Sequence, residues 1–102
     1  MLDAAQESIQ ILADAGGRTS TDRKLALALV KLIEIVGEAA GGVSTAGRET
    51  FDQIPWSRII ATRNRLIHGY YDIDIAVVIQ TIREDFPPLV TALQTALHPS
   101  GQ

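Results

Sequence analysis

Residues 25–40 form a segment of helical length that is apolar apart from Lys31, Glu34 and Glu38. The run Leu25-Ala26-Leu27-Ala28-Leu29-Val30 would also suit a strand, but its Ala and Leu content and the length of the surrounding segment favour a helix. Three interior charges are costly in a bilayer, so the segment reads as a buried helix and not as a membrane span. Leu25, Leu29, Leu32, Ile33, Val36 and Ala40 share one face, while Leu27, Val30 and Ile35 lie elsewhere on the wheel. A helix apolar on nearly every side must be covered on every side, which a chain of 102 residues can hardly do alone. A homodimer interface is the natural remedy.

The flanking sequence reads as further helices. Leu2, Ala5, Ile9, Leu12 and Ala15 predict a first helix over residues 2–15, stopped by Gly16-Gly17. Thr19-Ser20-Thr21-Asp22 offers N-caps for the second helix, which runs to Gly41-Gly42. Residues 43–54 read as an irregular connection with one short helical turn around Arg48 to Phe51. Pro55 suits the first position of a third helix extending to about His68, and Gly69 follows to end it. Asp72 or Asp74 would cap a fourth helix burying Ile75, Val78, Ile79 and Ile82. Pro87-Pro88 should kink or split that helix before Leu89, Leu93 and Leu97 resume the pattern. With no repeat or linker, the expectation is all-α: one domain over residues 1–102, an antiparallel bundle of about four helices that dimerises.

Composition narrows the chemistry. The chain has no cysteine, which removes disulfides, thiolate metal sites and cysteine nucleophiles. His68 and His98 stand thirty residues apart with no His-x-x-x-His pattern, so no metal and no cofactor are expected. The N-terminus lacks the basic and apolar regions of a signal peptide, which points to the cytoplasm. A formal charge of -3 argues against coating nucleic acid by bulk charge and leaves only a local basic patch for such a role.

That patch exists. Phe51, Trp56, Tyr70 and Tyr71 flank a stretch carrying Arg58, Arg63 and Arg65, and no acid occurs between Pro55 and Tyr71. On a wheel at about 100° per residue with Trp56 at zero, Ile59, Ile60, Ile67 and Tyr70 form an apolar stripe and Arg63 falls in its middle. A buried guanidinium must be paired, and Glu34 and Glu38, one turn apart on the second helix, are its candidate partners. Asn64 and His68 share a flank of the third helix, about 140° from Arg63 in the case of His68. The two converge if the arginine reaches round, if the helix ends early, or if a second chain supplies one group. A cation for phosphate, an imidazole for proton transfer and an amide to orient either would support phosphodiester cleavage without a metal.

The run Ile54-Pro55-Trp56-Ser57-Arg58-Ile59-Ile60-Ala61-Thr62-Arg63-Asn64-Arg65-Leu66-Ile67-His68-Gly69-Tyr70 resembles the signature of the HepT-like branch of the HEPN superfamily: Arg, four residues, His, any residue, Tyr, with a polar residue after the Arg. Residues 33–40 resemble the second-helix motif of that family, and Asp85-Phe86-Pro87-Pro88-Leu89 its final helix. The resemblance implies a dimer whose two motifs face one cleft, and a metal-independent endoribonuclease with Arg63, Asn64 and His68 in its active site. It also implies a toxin whose antitoxin is a minimal nucleotidyltransferase of the MntA type, transferring AMP to Tyr70. The chain departs from the family pattern in extra small residues between Gly41 and Gln53 and in a short first helix.

Two other readings compete. One is a catalytically silent helical subunit that binds nucleotide or docks a nucleotidyltransferase through the same basic helix. The other is a structural dimer in which Arg63 is only an ion-pair anchor.

Overall fold

A computed structural model describes residues 1–68 and 73–97, without the side chains of Thr19, Ser20 and His68. Its elements are α1 (Leu2–Ala15), a 3₁₀ turn (Gly16–Ser20), α2 (Arg23–Gly41), α3 (Thr45–Thr50), α4 (Trp56–His68), α5 (Ile75–Gln80), a π turn (Thr81–Asp85) and α6 (Phe86–Leu97). Among the described residues there is no strand, and no helix is long and apolar enough to cross a membrane.

The helix ends follow from local chemistry. α1 closes on Gly16, whose φ of 55° is strained for any side chain and whose N–H donates to Leu12 O. Of the four N-cap candidates before α2, Asp22 takes the role and accepts from Leu25 N at 3.2 Å. α2 ends where Gly41-Gly42 predicts, although Gly42 stays right-handed with φ -85°. A side chain from the connection completes that end: Arg48 Nη2 donates to Ala40 O and Gly41 O, both at 3.3 Å. A cation on the last carbonyls also complements the helix dipole. α3 is capped by Ser44, and α4 begins one residue after Pro55. Asp74 caps α5 through Val77 N, while Asp72 lies outside the described residues.

The proline pair splits the last helix by changing its pitch. Phe86 N–H bonds to Thr81 O, five residues back, so the chain makes one π turn before Pro87-Pro88 enter the first turn of α6. Prolines lack an N–H, and the first helical turn is where none is needed. The wider turn also carries Asp85 into the interior, where it is only 3% exposed.

The core joins α2 (Leu29, Ile33, Val36), α4 (Ile59), α5 (Val78), the π turn (Ile82) and α6 (Phe86, Leu89). α2 packs most extensively on α4, then on α1. One chain covers α2 better than its composition suggests: Leu25, Leu27 and Leu32 are half-buried, and Ile35, 40% exposed, is the one large apolar residue of α2 counted as exposed. The flanking helices come close enough to shelter more than one face.

Candidate active site

The site lies on the seam between α2 and α4, and a glycine makes that seam. A Cβ added at Gly37 would stand 2.3 Å from Arg63 Cβ and 2.5 Å from Cγ, distances that no real side chain tolerates. Gly37 therefore lets α4 lay the stem of Arg63 directly on the α2 backbone. A mid-helix glycine in an otherwise strong helix former is the sequence signal for such an approach, and helix periodicity alone passes over it.

Arg63 falls within the buried face of α4, between Ile59 and Trp56 on the wheel, as the periodicity predicts. Leu66, at about 280° on the wheel, is buried with Trp56 and Ile59, whereas Ile60 and Ile67 are only half-buried, so the stripe is rotated relative to the expectation. The Arg63 side chain is 26% exposed, and its three nitrogens have different surroundings. Nη2 donates to Glu38 Oε1 at 3.0 Å and Nη1 to Asn64 Oδ1 at 3.0 Å, while Nε is buried and has no hydrogen-bond partner among the described residues. The predicted pairing thus holds for Glu38 and not for Glu34. Glu34 is buried, its Oε2 lies 3.8 Å from Lys31 Nζ, and its Oε1 has no hydrogen-bond partner among the described residues. With the stem lying across Gly37, the guanidinium emerges beside the next residue, Glu38, and not one turn earlier.

The contact with Asn64 bears on how the arginine and the histidine meet. α4 continues through His68, so an early helix end does not bring them together. Instead the guanidinium turns toward Asn64, which stands four residues before His68 on the same helix flank. The imidazole of His68, together with Gly69, Tyr70, Tyr71 and His98, lies outside the described residues. No group of three or more His, Cys, Asp or Glu suited to a metal occurs among the described residues.

A second set of charges occupies another face of α4. Arg58 Nη2 bonds to the buried carboxylate of Asp85, and Arg65 Nη2 lies 2.8 Å from Asp74 Oδ2. Hydrogen bonding and charge from Asp85 hold the Arg58 guanidinium above the ordinary arginine range, so it stays cationic at any working pH. Arg58, Arg65 and Asp85 line a cleft of about 180 Å³ together with Thr62, Gln80, Thr81 and Glu84. Both of its arginines are already paired with carboxylates, and the Arg58–Asp85 pair braces α4 against the π turn.

A family model for the HepT-like ribonucleases matches residues 1–96. The chain belongs to the HepT-like ribonuclease family. A probable ribonuclease HepT of Thermococcus cleftensis is 34% identical over 68 residues, 67% of this chain and 62% of that protein. A Methanocaldococcus jannaschii protein described as a "putative RNase" is 30% identical over 90 residues, covering 87% of this chain and 83% of the relative. Another protein so described, from Caldanaerobacter subterraneus, is 34% identical over 77 residues, 76% of this chain and 69% of its own length. No solved structure matches this HepT-like chain.

Proposed function

We propose that this HepT-like chain is an endoribonuclease whose active site is built from Arg63, Asn64 and His68. The observation that carries this reading is the state of Arg63, a guanidinium braced by Glu38 and Asn64 at a partly open seam. Glu38 is 64% exposed, and a pair in that setting contributes at most about 1 kcal/mol to stability. So light a tie is a poor reason to keep an arginine there as an anchor, and a good one for presenting a cation to phosphate.

In the reaction, an RNA 2′-oxygen bonds to the adjacent phosphorus and the bond from phosphorus to the 5′-oxygen breaks. His68 takes the proton of the 2′-hydroxyl, and the departing 5′-oxygen receives a proton from the same residue of a second copy. Arg63 stabilises the charge of the crowded phosphorane, and Asn64 orients the phosphate or the imidazole. The products are a 2′,3′-cyclic phosphate and a 5′-hydroxyl, with no metal needed. A second copy would cover the apolar surface that Ile60 and Ile67, half-buried beside Arg63 on the α4 wheel, leave open. In the cell the protein acts as a cytoplasmic toxin, and an MntA-type nucleotidyltransferase silences it by transferring AMP to Tyr70. A nucleotide two residues from His68 would fill the cleft with bulk and negative charge.

The test is RNA cleavage by wild-type protein and His68→Ala, with end-group analysis of the fragments. The variant should lose about 10² to 10⁴ in rate while remaining folded. Cleavage at the wild-type rate would remove His68 from the mechanism.

A further inference from the structure

Arg63 presents only part of its guanidinium. Nε is buried, so the side-on edge formed by Nε and Nη2 is closed to a ligand, and a phosphate must approach the Nη1 and Nη2 end. Glu38 already holds Nη2 at that end. A phosphate seated there would stand well within one Debye length, about 8 Å at physiological ionic strength, of the Glu38 carboxylate. The two anions compete for one cation.

Their positions on α2 separate the roles of the two glutamates. Measured from Gly37 on a wheel, Glu34 lies at about 60° and Glu38 at about 100°, which puts the first at the edge of the buried face and the second outside it. Glu34 is buried and faces Lys31, whereas Glu38 holds Arg63, is 64% exposed and is free to swing into solvent. We propose that Glu38 is a built-in competitor for substrate phosphate at Arg63, a positioning residue that holds the guanidinium ready in the empty site and sets how tightly RNA binds. This rests on the reading of Arg63 as the phosphate-binding cation.

The design has a chemical consequence. Each productive binding event exchanges a carboxylate for a phosphate on the same nitrogen, so the affinity for RNA is lower than the arginine alone would provide. The tie to Glu38 also keeps Arg63 in one rotamer, which limits what must be ordered on binding. Removing the carboxylate charge should therefore strengthen binding at little cost to the chemical step.

The test uses a fluorescent oligoribonucleotide, 2′-O-methylated throughout so that it cannot be cleaved, titrated against wild type, Glu38→Gln and Glu49→Gln. Glu49 is exposed on α3 and its variant controls for the change in net charge. Glu38→Gln should lower Kd about two- to fivefold beyond the control, the range expected for releasing one exposed ion pair. The gain should vanish when Glu38→Gln is combined with Arg63→Gln and compared with Arg63→Gln alone, with circular dichroism confirming that both Arg63 variants are folded. On cleavable RNA the same substitution should lower KM and leave kcat near wild type. A gain no larger than that of Glu49→Gln, a gain that survives loss of Arg63, or no binding by any variant would overturn the proposal. If the oligonucleotide binds as described but unmodified RNA is never cut, competition at Arg63 stands and the ribonuclease reading falls.

Discussion

Gly37 and Arg63 touch so closely that the missing Cβ of one is the space occupied by the stem of the other. α2 thereby acts as the floor of the site, and the same contact that packs two helices also aims a guanidinium. Packing and chemistry share one residue pair.

Gly37→Ala gives a clean sign test. On a helix without this crossing, alanine would stabilise by up to about 1 kcal/mol. Here a methyl group 2.3 Å from Arg63 Cβ forces α4 away, and overpacking of this kind costs about 1 to 3 kcal/mol. Thermal denaturation should show a melting temperature lowered by roughly 4 to 8 °C per kcal/mol. RNA cleavage should fall as well, because the displaced stem carries Arg63.

Asn64→Ala should separate function from stability. The side chain is exposed and accepts a hydrogen bond from Arg63, so unfolding free energy should change by no more than about 0.5 kcal/mol. The cleavage rate should drop while denaturation curves overlay those of the wild type. A parallel loss of both would make Asn64 a structural residue.

Arg58→Ala and Asp85→Asn probe the brace between α4 and the π turn. Removing Arg58 leaves a carboxylate that is 3% exposed without its cation, whereas Asp85→Asn removes that charge and keeps an oxygen acceptor for Arg58. Arg58→Ala should therefore lower the melting temperature more than Asp85→Asn does, as read by calorimetry at neutral pH. Because Asp85 raises the Arg58 pKa, only strong alkali would discharge the arginine, and at neutral pH its side of the pair is fully charged.

Tyr70 can be tested directly. After incubation with an MntA-type nucleotidyltransferase and ATP, intact-mass and peptide spectra should show AMP on Tyr70, and Tyr70→Phe should show none. A mass increase of the same size on Tyr71 would move the acceptor by one residue.

The sequence by itself determined the helices. α1 ends at the glycine that marks its stop, α2 runs from its cap to Gly41-Gly42, Asp22 and Asp74 cap as their residue type requires, and Pro87-Pro88 interrupt the last helix. These signals are local, since each depends on backbone groups within one turn. Glu38 was also legible as a partner for Arg63, because few carboxylates stand on an apolar helix. Tertiary structure decided which glutamate pairs, how far the stripe on α4 is rotated, and how much of α2 is covered. None of these depends on neighbours in sequence. Gly37 allows a crossing closer than any wheel encodes, and with the Arg63 stem laid on it, Leu66 is buried and the guanidinium reaches Glu38 and Asn64 instead of Glu34.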